Sequence, residues 1–195
     1  MAYPQMYGAA TVEYRLDPAN GWRIDLEDIR SKMDETVRLL VLINPNNPTG
    51  NVATSEEIDS LIEIASDWPR CTIIADEIYD GLDFTGRMCS VASRSSSTPV
   101  IVLNGVSKVY FAPGWRVGYM AWHDPSGILV AVRDGVERLL RSRLCASTPA
   151  QHGFLAGLSD DSGWLDGHRS RIRERMDYCL GRIESIDGQI GRAHV

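Results

Sequence analysis

Leu39-Leu40-Val41-Leu42-Ile43-Asn44-Pro45-Asn46-Asn47-Pro48-Thr49-Gly50 decides the fold class. Five apolar residues end in two Asn-Pro dipeptides and a glycine, which is the pattern of a buried strand followed by a tight turn. Thr54 and Glu57 then form a capping box, and Ile58, Leu61, Ile62 and Ala65 repeat at helical spacing. A second apolar run, Thr72 to Ala75, follows, and others appear at Val100 to Leu103 and Val117 to Trp122. Strand, helix and strand in alternation predict a largely parallel sheet covered by helices on both faces.

Further helices are expected. Leu26 to Glu35 is amphipathic, and Lys32 within it reads as a solvated helix face. A helix over 127–143 is expected to turn Ile128, Val132, Val136, Leu139 and Leu140 inward and its arginines outward. From Pro149 onward the chain reads as helical, with Ile172, Met176, Leu180 and Ile183 as an apolar stripe. The segment around Tyr3 shows no element of its own, and Ser93 to Thr98 reads as a polar connection.

Composition narrows the function classes. A net charge of -6 and a pI near 5.2 disfavour nucleic acid or an anionic membrane surface as the main partner. Neither a membrane-length apolar run nor a secretory signal is visible, so a cytoplasmic location is expected. The cysteines Cys71, Cys89, Cys145 and Cys179 are scattered, with no metal-ligand spacing, and read as reduced, buried thiols. His123, His152, His168 and His194 are equally dispersed and are given no catalytic role.

Lys108 is one of two lysines in the chain, the other being Lys32, against 18 arginines. Unlike arginine, lysine can shed its proton and attack a carbonyl. A free lysine, with a pKa of ~10.4, is only about 0.04% unprotonated at pH 7, so a reactive one needs a built environment. Lys108 follows the strand Val100 to Leu103 and the break Asn104-Gly105, in the region where open α/β sheets bind ligands.

Three other motifs share that placement. Asn44 to Gly50 is by itself a structural turn. Asp76, in Ala75-Asp76-Glu77-Ile78-Tyr79, ends a strand, where an aspartate commonly caps a helix; Tyr79, three positions on, reaches the same neighbourhood if the chain turns. Gly114-Trp115-Arg116 sets an arginine eight positions after Lys108, and its planar fork of donors suits phosphate oxygens.

In this order the set resembles the class I/II, fold-type I aminotransferases that depend on pyridoxal phosphate, over about Tyr3 to Arg182. Together with Asn44 to Gly50, the run Arg143 to His152 looks most like the alanine-aminotransferase branch. The resemblance implies an α/β fold: a three-layer α/β/α large domain with a mostly parallel mixed sheet, and the start of a small C-terminal domain. Residues 1–160 would be the cofactor-binding domain and 161–189 an interdomain helix and the small domain's beginning.

It further implies an enzyme of amino acid metabolism that exchanges an amino group between an amino acid, an alanine- or aspartate-like donor, and a 2-oxo acid in ping-pong fashion, as a homodimer without a metal. Lys108 would carry the cofactor and move the substrate proton. Asp76 would pair with the pyridine nitrogen. Tyr79 and Asn47 would bond its phenolic oxygen, Arg116 would grip its phosphate and Tyr3 would stack on its ring. Two alternatives keep the same residues: a carbon-sulfur β-lyase, and the effector domain of a transcription regulator.

Two departures from the family pattern stand out. Gly105 occupies the place where the aspartate branch has a phosphate-binding serine. The family's phosphate loop, the tyrosine that crosses the dimer and the arginine for the substrate carboxylate find no match, so a fragment of a longer enzyme is expected. Ile190 to Val195 is also the translation of a sequencing adapter, and those six positions are expected not to be biological.

Overall fold

A computed structural model describes residues 2–142 and 145–188, without the side chains of Ala2 and Tyr3. The expected tail artefact at 190–195 lies outside them. The helices are α1 (Ala2–Met6), α2 (Leu26–Lys32), α3 (Ser55–Ser66), α4 (Val91–Arg94), α5 (Val130–Ser142), α6 (Thr148–Leu158) and α7 (Trp164–Glu184). The strands are β1 (Leu16–Asp17), β2 (Arg23–Ile24), β3 (Leu39–Ile43), β4 (Thr72–Asp76), β5 (Val100–Gly105) and β6 (Gly118–His123).

β3, β4 and β5 run parallel in that order, and β6 closes the sheet antiparallel to β5. This is the mostly parallel mixed sheet expected from the sequence. One face is packed: Leu40, Leu42, Ile73, Ala75, Val100 and Val102 join Ile58, Leu61 and Ile64 of α3 in a single core. Ile58, Leu61, Ile73 and Val100 are completely buried. At roughly 1.5–3 kcal/mol for each large aliphatic side chain, this seam is the main source of stability.

α3 forms for the reasons legible in its sequence. Thr54 accepts from the Glu57 N–H at 3.2 Å, and the Glu57 carboxylate accepts from the Thr54 N–H at 2.8 Å. Glu57 also receives Arg23 Nε at 2.9 Å, which ties the β1–β2 hairpin to the helix.

The opposite face of the sheet is open over β3, where Leu39 and Val41 are 55% and 46% exposed. The second helical layer expected there is not supplied by the described residues. α5 likewise keeps its apolar stripe, but Ile128, Val132, Leu139 and Leu140 are exposed, and the expectation that they face inward is corrected. Periodicity defines a face; only a neighbouring surface can bury it.

Smaller expectations also change. The segment at Tyr3 is helical, as α1. Lys32 is not a free surface charge: its ammonium donates to Asp28 at 2.6 Å and to the Glu13 carbonyl at 2.8 Å. Ser95 and Thr98 are buried, so that connection is part of the packed structure. Of the four thiols only Cys71 is buried, whereas Cys145 and Cys179 are exposed. A short antiparallel pair, β1 with β2, precedes the main sheet, and Pro18-Ala19-Asn20-Gly21 is its turn.

Candidate functional site

Parallel pairing brings the chemistry to one edge of the sheet. Ile43 and Asp76, at the ends of β3 and β4, stand side by side with Leu103, two residues before the end of β5. The Asn44 N–H donates to the Asp76 carbonyl at 3.0 Å, and the Glu77 N–H to the Leu103 carbonyl at 2.9 Å. The three exit loops therefore leave the sheet together. Both Asn-Pro bonds of the first loop are cis, and Gly50 closes it in the left-handed region. The Thr49 hydroxyl donates to the Asn46 side chain at 2.8 Å inside that turn.

Asp76 occupies the middle of the row, half-buried. It does not cap a helix. Its Oδ1 accepts from the Ile78 N–H at 3.2 Å, and among the described residues nothing donates to Oδ2. A partly buried carboxylate oxygen with no donor is a ready acceptor for a cationic N–H.

The chain does turn after Asp76, with the Asp80 N–H donating to the Glu77 carbonyl and the Leu82 N–H to that of Tyr79. Asn47 and Tyr79 then meet, the amide Nδ2 donating to the phenol oxygen at 3.0 Å. The Lys108 ammonium stands 5.5 Å from the centre of the Tyr79 ring. Three residues from three loops thus converge, while Lys108 stays exposed and accessible to a ligand.

Arg116 approaches from the far side of the same edge. It precedes β6, whose first residue Gly118 pairs with Gly105. Its backbone is left-handed, with φ 54°, and its exposed guanidinium donates to the Pro113 carbonyl at 3.0 Å. No ion pair engages it among the described residues. The structure therefore brings Asn47, Asp76, Tyr79, Lys108 and Arg116 to one strand-end edge, with direct contacts linking Asn47, Tyr79 and Lys108. The Tyr3 side chain lies outside the described residues.

The Gly105 departure has a steric cause. A Cβ at that position would fall 2.7 Å from the Val117 carbonyl oxygen and 2.8 Å from the Gly118 Cα. With β5 and β6 this close, no serine fits on this backbone.

Two site neighbours were not singled out from the sequence. Asn104 donates to Asp80 at 2.9 Å and accepts from the Gly105 N–H at 2.7 Å, joining the end of β5 to the turn after Tyr79. By sequence Asn104 is only a strand breaker. Glu77 is buried, and burial pushes its carboxyl above the ordinary value against the Val91 N–H and Ser90 hydroxyl that it accepts. Among the described residues no cluster of three His, Cys, Asp or Glu could hold a metal, and no helix is long and apolar enough to cross a membrane.

The family "Aminotransferase class I and II" matches residues 3–193. The chain belongs to that family. The chain is 38% identical over 181 residues to glutamate-pyruvate aminotransferase AlaA of Escherichia coli K12, covering 91% of the chain and 44% of that protein. It is 32% identical over 197 residues to an alanine aminotransferase of Mycobacterium tuberculosis H37Rv, covering 96% and 44%. Its structure superposes on alanine aminotransferase from Pyrococcus furiosus with a TM-score of 0.90 and 40% identity, over 95% of the chain and 47% of that structure. The chain thus spans less than half the length of these relatives.

Enzymes of this aminotransferase family depend on pyridoxal phosphate, and the donor set suits it. An amine, an acceptor for a ring N–H, a phenol–amide pair and a guanidinium at one edge match its aldehyde, pyridine nitrogen, phenolic oxygen and phosphate.

Proposed function

We propose that the chain forms the cofactor-binding part of a pyridoxal-phosphate-dependent transaminase that moves an amino group between an alanine-like amino acid and a 2-oxo acid. The observation that carries the reading is the convergence of Lys108 on the Asn47–Tyr79 pair beside the acceptor oxygen of Asp76. Similarity to alanine aminotransferases supports the donor class. In this reading residues 1–160 are the large domain, 161–189 begin the small domain, and the whole enzyme is a cytoplasmic homodimer.

Bound at this edge, pyridoxal phosphate supplies an electrophilic carbon for the amine and an electron-withdrawing ring. Lys108 is the proton carrier. Its flexible stem, rising from an exposed loop, would let the amine take a proton from the substrate Cα and pass it to the cofactor carbon on the other side of the imine nitrogen. Asp76 accepts the ring N–H and, by its charge, favours the protonated form. Tyr79 donates through its hydroxyl toward the phenolic oxygen, and Asn47 fixes that hydroxyl. Arg116 neutralises the phosphate.

The direct test is titration of the chain with pyridoxal phosphate. A visible-blue absorbance band is expected, lost in Lys108→Ala. A band that survives the substitution overturns the assignment of Lys108. In the full-length enzyme, alanine-to-2-oxoglutarate transfer is expected, whereas release of pyruvate and ammonia from cystathionine without an oxo acid marks a β-lyase.

A further inference from the structure

α7 grips the loops that carry Lys108 and Tyr79, and does so with two parallel rows of side chains. Trp164 and His168, one turn apart, take the lysine loop: the Trp164 ring is 5.7 Å from Tyr110, and the His168 ring is 4.1 Å from Phe111, edge-on. Phe111 has φ 52°, a left-handed conformation that a bulky residue keeps only where its surroundings hold it. The turn it makes is closed by the Phe111 N–H on the Lys108 carbonyl and the Ala112 N–H on the Val106 carbonyl, both at 3.2 Å.

Arg169 and Arg173, also one turn apart, take the tyrosine loop. Arg169 Nε donates to the Gly81 carbonyl at 2.7 Å while its Nη1 is held by Asp166 at 2.7 Å. Arg173 donates to the Phe84 carbonyl at 2.9 Å, with its guanidinium 5.1 Å from the centre of the Phe84 ring.

The two loops also touch each other beneath the helix. A Cβ on Gly81 would fall 2.6 Å from Val109 Cγ1 and 3.3 Å from Leu165 Cδ2. Gly81 is two residues after Tyr79, and Val109 directly follows Lys108. The loops that carry the amine and the phenol therefore meet at Gly81 and Val109, with Leu165 of α7 packed against the same point.

We propose that His168 and Arg169 are positioning residues for the cofactor site: His168 holds the Lys108 loop through Phe111, and Arg169 holds the Tyr79 loop through the Gly81 carbonyl. Neither touches the reacting atoms. The role rests on the reading of Lys108 and Tyr79 given above, but the clamp itself is observable without cofactor.

The test compares His168→Ala and Arg169→Ala with the conservative His168→Phe and Arg169→Lys, and with Arg171→Ala on the exposed face of α7 as control. Melting temperature, affinity for pyridoxal phosphate from the absorbance band, and exchange of the Leu82, Phe111 and Ala112 amides are measured on the full chain. Loss of one such contact is expected to weaken cofactor binding about fivefold. His168→Phe and Arg169→Lys are expected to recover most of it, and Arg171→Ala to match the wild type.

Exchange is expected to quicken at Leu82 in Arg169→Ala and at Phe111 and Ala112 in His168→Ala. Affinity that falls only in step with melting temperature, without rescue, overturns the proposal. If the wild type gives no Lys108-dependent band, the functional reading fails, and amide exchange alone decides the clamp; unchanged exchange in both alanine variants sinks it.

Discussion

Asn47 donates its side-chain amide to the Tyr79 hydroxyl at 3.0 Å across 32 positions of sequence. That bond joins the exit loops of β3 and β4, and it leaves the phenol proton free to point toward a ligand. Asn47→Ala and Tyr79→Phe are each expected to weaken pyridoxal phosphate binding. In a double-mutant cycle they couple by about 0.5–1.5 kcal/mol, the net worth of one hydrogen bond. Additive losses show that the two side chains act independently.

Gly105→Ser installs the residue found at this place in the aspartate branch. It is expected to destabilise the chain by more than an ordinary surface change, because its Cβ meets backbone of β6 that cannot swing aside. Overpacking costs typically ~1–3 kcal/mol, and a urea melt reads it directly. Stability equal to wild type would mean that β5 and β6 separate readily.

Glu77 sets a pH dependence. Its folded carboxyl lies above the ordinary value, first because of burial and then because Asp80 and Asp76 are near. The folded chain therefore binds this proton more readily than the unfolded chain does. Stability from this group is complete below the ordinary carboxylate pKa and is lost as pH rises through the raised folded value. Glu77→Gln keeps an acceptor for the Val91 N–H and removes the charge. Denaturation across that window is expected to show the wild type losing stability relative to the variant as pH rises; a flat difference refutes it.

Thr54→Ala and Ile73→Ala separate local from tertiary stability. Removing the cap is expected to cost about 1 kcal/mol, since it frees one helical N–H and half of a reciprocal box. Emptying the Ile73 site, completely buried in the sheet, is expected to cost about 2–5 kcal/mol. Equal losses in chemical denaturation would contradict the assignment of the core.

Local patterns announced the elements that depend on nearest neighbours. The Thr54–Glu57 box, the cadence of α3 and the runs that became β3 and β4 each follow from a few adjacent residues, and so does the turn at Asn44 to Gly50. The exposure of α5 is not legible in the same way, because a stripe of Val132, Leu139 and Leu140 looks alike whether or not something covers it. Lys32 misled for a related reason. Its carboxylate partner Asp28 was nearby in sequence, but the Glu13 carbonyl that completes its contacts comes from a distant segment.

The sequence by itself determined which groups are available: one lysine beyond a buried strand, a carboxylate at the end of another, and a phenol, an amide and an arginine in family order. Those are properties of residue type and spacing. Only the tertiary structure decided how they meet. Parallel register set Asp76 between Ile43 and Leu103, the contact of Gly105 with Gly118 excluded a serine, and α7 packs through Leu165 and Arg169 on Gly81, where the Lys108 and Tyr79 loops meet. Each of these is a contact between residues far apart in the chain, set by the packing of whole elements, and no local pattern encodes it.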